Sequence, residues 1–349
     1  MAEPPLTYSG AGVDIGAGEE AVERIRASVR STFRPEVVGD LGGFAGMFAI
    51  DPSRYRQPLL VSSTDGVGTK AMVASAAGRY STVGIDLVAM CVDDLVCSGA
   101  EPLFFLDYLV VGRLDPAQAA ELVEGVAEGC RQAGCALVGG EMAEHPGAME
   151  PGEFDLAGFA VGVVEADSVL GPDRVRPGDV LVGIGSPGLR SNGYSLARRA
   201  LLEVDGRDLH GPAWPGAEST LADELLRPSV VYAPAVLATV AELGDGLHAA
   251  AHITGGGIPG NLARVLPGGC AAVVRPAWPA PRIFAEVAAA GRVPAEEMTR
   301  VFNLGVGMIL VVAPDAGDTA ARTLTGRGLT AGVVGEVVTG ETAVHMEGW

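Results

Sequence analysis

One lysine stands in this chain. Of its 24 basic residues, 23 are arginine, and the exception is Lys70, inside Asp65-Gly66-Val67-Gly68-Thr69-Lys70. Arginine and lysine are not interchangeable where a compact point charge must enter a tight site. An ammonium beside a carboxylate, a hydroxyl and two glycines is a combination that grips phosphate and metal. Asp65, Gly66, Gly68, Thr69 and Lys70 are therefore candidate phosphate-binding residues. The competing reading is codon bias with one leftover surface lysine.

A second group lies on residues 83–97, which read as a nearly all-apolar, buried helix yet carry Asp86, Asp93 and Asp94. Asp86 and Asp93, seven apart, share a face. A buried carboxylate is costly alone and needs a metal or a fixed cation. Asp65, Asp94 and Glu141 together offer hard oxygen ligands near expected phosphate, a magnesium pattern. Read blandly, the aspartates cap loops or sit at a solvated edge, and Glu141 is an ordinary turn residue.

Three glycine-rich segments add backbone N–H donors: the loop Gly39–Gly46 with Gly42 and Gly43, the turn Gly139-Gly140-Glu141, and Gly255-Gly256-Gly257-Ile258-Pro259-Gly260. The last fits the spacing GxGxxG, but a dinucleotide fold needs an acidic residue about 20 positions on, and Arg275-Pro276-Ala277-Trp278 supplies none. An anion-binding loop at a helix N-terminus is the surviving reading, with His252 and Thr254 as further donors. No GxxxxGK[ST] occurs, so an ATP site here is not a P-loop. Ser191-Asn192-Gly193 precedes a helix; it caps that helix or, with Arg190, holds an anionic substrate group. Arg190, Ser191, Asn192, Gly193, Thr254, Gly255 and Gly256 are the candidate substrate residues.

The elements that must position these residues alternate along 349 residues, a length for about two domains. Helices are expected at 18–32, 83–97, 116–133, 193–203, 233–243, 259–266, 281–290 and 315–326. Strands are expected at 59–63, 103–111, 136–138, 154–164, 180–185, 247–253, 271–275, 306–312 and 332–338. A turn-rich boundary at Asp173–Asp179 separates domain 1–170 from domain 171–349, both α/β (or α+β).

Hydrophobic content of 48% with 19% charged residues indicates a globular chain. A net charge of −19 argues against a nucleic-acid partner and against anionic membrane. Mean hydropathy is +0.30, yet no uncharged apolar run reaches the roughly 18 residues of a membrane span. The N-terminus has no basic segment before an apolar one, so no signal peptide is expected. Five cysteines without a CxxC pair fit free thiols in a reducing cytoplasm.

Several segments occur together and in order: Ala11-Gly12-Val13-Asp14-Ile15, Gly42-Gly43-Phe44, Asp65–Lys70, Gly84–Met90, Gly99–Tyr108, Val138–Glu141, Ser191–Leu196, His252–Gly257 and Phe302-Asn303. With these the chain resembles, nearly end to end, the phosphoribosylformylglycinamidine cyclo-ligase (AIR synthetase) family. The resemblance implies a homodimer whose N-terminal sheets pair into a shared barrel, with ATP in a groove near that interface. It also implies the reaction: ATP phosphorylates the formyl amide oxygen of formylglycinamidine ribonucleotide, a substrate nitrogen attacks the activated carbon, and aminoimidazole ribonucleotide, ADP and phosphate leave. Matching onto the family, Lys70, Asp94 and His252 become the candidate catalytic residues. Gly42, Gly43, Gly139 and Gly140 join the 65–70 segment around the nucleotide, and Mg²⁺ sits on Asp65, Asp94 and Glu141. Arg190, Met142, Asp93 and Arg26 depart from the usual histidine, threonine, asparagine and lysine. Those departures keep open a paralogue that activates a different amide-bearing substrate.

Overall fold

The computed structural model describes residues 5–349; residues 1–4, on which the expectation of no signal peptide and the start of domain 1–170 fall, lie outside the described residues. α1 (Ile15–Arg30) buries Ala21, Ile25 and Val29 along one stripe. It is capped by Asp14, whose carboxylate accepts from the N–H groups of Gly16 and Ala17. A short ribbon of β1 (Val37–Val38) and β2 (Met47–Phe48) carries the Gly42-Gly43 loop. β3 (Pro58–Gly66) leads into α2 (Lys70–Ala77) and α3 (Val83–Val96). β4 (Glu101–Val111), α4 (Pro116–Ala133) and β5 (Ala136–Glu144) form a parallel crossover, and β6 (Phe154–Glu165) inserts antiparallel between β3 and β4. The sheet order is β3-β6-β4-β5.

Helices cover only one side of this sheet. Along β4, Phe105, Asp107 and Leu109 are buried while Phe104, Leu106 and Tyr108 are half-buried, the period-2 alternation of a one-sided sheet. On the uncovered side Leu60 and Phe159 are exposed.

The second sheet is built from β7 (Val180–Gly185), β8 (Leu247–His252), β9 (Cys270–Val274), β10 (Val306–Val312), β11 (Ala331–Thr339) and β12 (Val344–Met346), in the order β12-β9-β11-β7-β10-β8. All pairs but β12–β9 are antiparallel. Around it lie α5 (Tyr194–Arg198), α6 (Leu221–Leu225), α7 (Ala233–Leu243), α8 (Gly257–Leu262), α9 (Arg282–Gly291), α10 (Ala295–Val301) and α11 (Gly317–Thr325). Every residue of β10 is buried, which is why its sequence is a continuous apolar run instead of an alternation. Among the described residues no helix is long and apolar enough to cross a membrane.

Some expectations shift. β5 continues through Gly139-Gly140-Glu141, expected as a turn, because β4 offers a parallel ladder from Phe104 to Val111. The helix expected at 193–203 is α5 followed by a π-helical stretch, Arg199–Val204. The helix expected from residue 259 starts at Gly257 and gives way to a 3-10 turn after Leu262. α2, α6, α10 and β12 were not anticipated; each is too short for its period to register over neighbouring turns.

Candidate functional site

α3 lies at the junction of the two sheets and presents its three aspartates there. Asp86 and Asp93, on one face, are fully buried, as the seven-residue spacing requires, and each has a cation. Lys70 pairs with Asp86, and its Nζ also donates to the carbonyls of Arg190 and Arg227, both at 3.0 Å. Asp86 accepts in addition from the N–H and hydroxyl of Ser229, at 2.8 and 2.6 Å. The Arg190 guanidinium donates to Asp93 at 2.8 Å and to the Val230 carbonyl at 2.8 Å, and lies 4.6 Å over the Tyr232 ring. Asp93 also accepts from the N–H groups of Tyr232 and Ala233, at 2.8 and 3.0 Å. Burial lowers the Lys70 pKa against the pull of Asp86, and burial raises that of Asp93 against the pull of Arg190. The Arg190–Asp93 pair joins the 190–233 segment to α3, and the Lys70–Asp86 pair, both of whose members lie within 65–96, reaches that segment through the Arg190 and Arg227 carbonyls and Ser229.

Two sequence expectations are corrected here. Lys70 was expected to face phosphate and Arg190 an anionic substrate group. Both side chains are buried (0% and 1% exposed) with their donors turned to carboxylates and carbonyls inside the protein. The same spacing rule that asked for cations beside Asp86 and Asp93 consumes the two cations that had been assigned outward roles.

The residue after Asp93 on α3, Asp94, is exposed, at a groove where β3 and the end of β8 meet. Its Oδ1 lies 2.8 Å from His252 Nδ1 and its Oδ2 accepts from Ser63 at 3.3 Å. His252 Nε2 is 3.0 Å from Arg190 Nη2. Arginine only donates, so Nε2 accepts and the ring proton resides on Nδ1, facing Asp94. With both nitrogens engaged and 4% of the residue exposed, His252 orients Asp94 instead of reaching into the groove itself. Burial would raise Asp94, but the hydrogen bonds from His252 and Ser63 hold it below the usual carboxylate value. Asp65, on β3 beside it, is raised by burial and by the Asp94 charge. Thr69 and Ser195 meet across the groove at 3.1 Å between hydroxyls.

The predicted substrate loops do converge at this groove. Asn192 accepts from the Gly255 N–H at 3.0 Å, tying the 190–193 turn to the 254–257 loop. Asn261 braces that loop by donating to Gly257 O at 2.8 Å. Gly257 has φ +62°, and a Cβ there would lie 1.9 Å from the Thr299 carbonyl, so only glycine fits. Gly193 has φ +76° and packs on the Phe302 ring, where a Cβ would approach to 2.2 Å. Thr254 is 3.4 Å from Asn261 Oδ1, and Ser191 is half-buried.

The glycines grouped with Asp65–Lys70 at the sequence level separate from them. Gly42, Gly43, Gly139 and Gly140 line a cavity of about 740 Å³ between α1, the β1–β2 loop and β5, at the opposite edge of the four-stranded sheet. Glu141 lines it too. A single cluster of Asp65, Asp94 and Glu141 is therefore corrected: β6 and β4 stand between β3 and β5, and among the described residues no three His, Cys, Asp or Glu side chains gather closely enough to hold a metal. Asp65 and Asp94 remain together. The cavity walls are apolar, from Ile25, Val29, Val123 and Leu137, with Asp107 on its inner surface.

Comparison with known proteins agrees with this architecture. Residues 48–164 match the family model "AIR synthase related protein, N-terminal domain", and residues 176–347 match "AIR synthase related protein, C-terminal domain". The chain belongs to the AIR synthase related family. It is 54% identical over 336 residues to a phosphoribosylformylglycinamidine cyclo-ligase of Anaeromyxobacter dehalogenans, covering 96% of each chain. It is 53% identical over 336 residues to that of Myxococcus xanthus, again covering 96% of each. Among solved structures, thiamine-monophosphate kinase from Stenotrophomonas maltophilia superposes with a TM-score of 0.67 at 20% identity, covering 94% of this chain and 96% of that one. A hydrogenase maturation protein, HypE, in complex with ATP gives 0.64 at 19% identity, covering 95% and 91%. At such identities the likeness is one of fold: the mixed α/β, two-domain architecture of AIR synthases.

Within this family member, sequence reasoning missed Ser229, Tyr232 and the carbonyls of Arg227 and Val230, which complete the junction. Their contributions are backbone groups or arise from a loop with no periodic signal. It also passed over Asp107. That residue is the single charge between Leu103 and Val111, in an otherwise apolar strand, which is a legible signal.

Proposed function

We infer that this chain is an ATP-dependent phosphoribosylformylglycinamidine cyclo-ligase, closing formylglycinamidine ribonucleotide to aminoimidazole ribonucleotide with release of ADP and phosphate. The observation that carries this reading is the match of both family domains together with 54% identity over 96% of a named cyclo-ligase. An amide oxygen is a poor leaving group until phosphorylated, so the chemistry is largely positioning and charge neutralisation. The paralogue reading rested on Arg190, Met142 and Asp93. Arg190 and Asp93 pair with each other inside the protein, with Arg190 reaching the groove only through His252, and Met142 lines the cavity beside Glu141.

The cavity lined by Gly42, Gly43, Gly139 and Gly140 is the proposed ATP site, and the groove formed by Asp65, Asp94, Asn192, Ser195, Gly255 and Gly256 the proposed ribonucleotide and phosphate site. Half-buried Asp65, whose ionisation the Asp94 charge makes costlier, and exposed Asp94 beside it suit a divalent cation. Mg²⁺ held there would neutralise phosphate oxygens. The side chains of this chain then act around it: His252 fixes the Asp94 carboxylate, Asn192 holds the Gly255 loop, and the Gly255 and Gly256 backbone closes on the anion. The two domains meet near residue 170, and the protein works in the cytoplasm.

The cavity and the groove lie at the β5 and β3 edges of one sheet. A homodimer that joins the uncovered faces carrying Leu60 and Phe159 into a barrel, with the β3 edge of one protomer against the β5 edge of its partner, would set one protomer's groove beside the other's cavity. Turnover of purified protein with ATP, Mg²⁺ and formylglycinamidine ribonucleotide, read by diazo-coupling colour of the product amine, tests the activity. Colour that depends on both substrates supports it; its absence with folded, ATP-binding protein would end the cyclo-ligase reading.

A further inference from the structure

Asp107 is the one charged residue of β4 past Glu101 at its start, its strand neighbours Phe105 and Leu109 pack the core, and it is 8% exposed. The exposure it has is to the 740 Å³ cavity, whose inner wall it forms between apolar Val123, Leu137 and Ile25. The donor acting on its carboxyl is its own backbone N–H. Among the described residues no cation faces it, in contrast to Asp86 and Asp93, whose burial is compensated by Lys70 and Arg190. Gly140 stands directly across from it in the β4–β5 ladder, and a Cβ there would lie 1.9 Å from Asp107 Oδ1. The strand thus keeps a glycine where any side chain would displace the carboxyl. Burial pushes the Asp107 pKa up to about 7, so at neutral pH about half of the group is the neutral acid, the form that burial without a cation favours.

A neutral carboxyl presents one O–H donor and one carbonyl acceptor in a plane. Adenine presents the complement on one edge, a ring-nitrogen acceptor beside an amino donor. Guanine presents two donors to the same position and would be matched by an ionised carboxylate, which this environment disfavours. Apolar walls on either side suit the faces of a flat base.

We propose that Asp107 reads the nucleobase of the bound nucleotide, pairing in a bidentate manner with adenine and selecting against guanine. This rests on the reading of the cavity as the ATP site. The test measures kcat/KM for ATP and for GTP in the wild type, Asp107→Leu and Asp107→Asn, alongside photolabelling of the wild type with 8-azido-ATP and peptide mapping. A bidentate base contact gives discrimination of roughly 10- to 100-fold. Asp107→Leu is expected to reduce the ATP:GTP ratio by about tenfold or more. Asp107→Asn, whose amide keeps one donor and one acceptor, retains preference for ATP. Label is expected on peptides spanning 39–46 or 136–142. An unchanged ratio in Asp107→Leu with label on those peptides would overturn base reading by Asp107 while leaving the cavity as the ATP site. Label confined to peptides spanning 63–69, 191–195 or 252–257 would overturn the cavity assignment and the proposal with it.

Discussion

Replacing Lys70 by methionine separates a structural ammonium from a phosphate-binding one. In the structure the Lys70 ammonium is completely enclosed, faces Asp86 and donates to two carbonyls of the other domain. Methionine fills much the same volume but leaves Asp86 charged, buried and supported by Ser229 alone. Breaking a buried pair from one side costs about 3–5 kcal/mol. Unfolding entropy of about 2.1 cal/mol/K per residue gives roughly 0.7 kcal/mol/K for a chain of this length unfolding as one unit, so the melting temperature should fall by about 4–7 °C. Adding Asp86→Asn removes the stranded charge while keeping an acceptor for Ser229, and should recover at least about half of the loss, a coupling near 2 kcal/mol. Calorimetry on the wild type, both single variants and the double variant reads this directly. A Lys70→Met protein that melts within a degree of wild type, with no rescue by Asp86→Asn, would refute the buried pair. If such a protein also lost turnover, Lys70 would return to the phosphate.

Further outcomes follow from the same geometry. Asp94→Asn should raise the Mg²⁺ concentration needed for half-maximal turnover by about tenfold or more, on the scale of a lost ligand or its support; a magnesium titration unchanged from wild type would remove Asp94 from the metal site. Gly257→Ala forces a Cβ toward the Thr299 carbonyl at a positive φ and should destabilise by roughly 2–4 kcal/mol, seen as a lowered urea midpoint. Asp107 has a folded pKa of about 7, above the ordinary 3.8. Its burial is therefore free of ionisation cost below about pH 4, and that cost grows until about pH 7. Asp107→Asn should then match wild-type stability near pH 4 and exceed it by about 1–3 kcal/mol at pH 8, since cavity water softens the full penalty; parallel melting curves at the two pH values decide this. Phe159→Glu on the uncovered sheet face should shift the sedimentation coefficient from dimer to monomer, and an unaltered coefficient would place the interface elsewhere.

What the sequence determined by itself was the alternation of elements, the buried character of α3 and the demand that Asp86 and Asp93 find cations. These are properties of period and of the cost of burying charge, and neither depends on which element lies opposite. The motifs at 191–193 and 252–257 were legible as loops with donors because glycine and small polar residues at a helix start have few other uses. The tertiary structure alone decided which cations answered the aspartates. Lys70 lies 16 residues from Asp86, and Arg190 lies 97 from Asp93; no local spacing connects them. It also decided that β6 would insert between β3 and β4, which carries Glu141 and the Gly139-Gly140 strand away from Asp65. Strand order comes from long-range pairing, and a chain in which β3 and β5 were neighbours would read the same along its sequence. The groove and the cavity are two sites in space because β6 and β4 stand between β3 and β5.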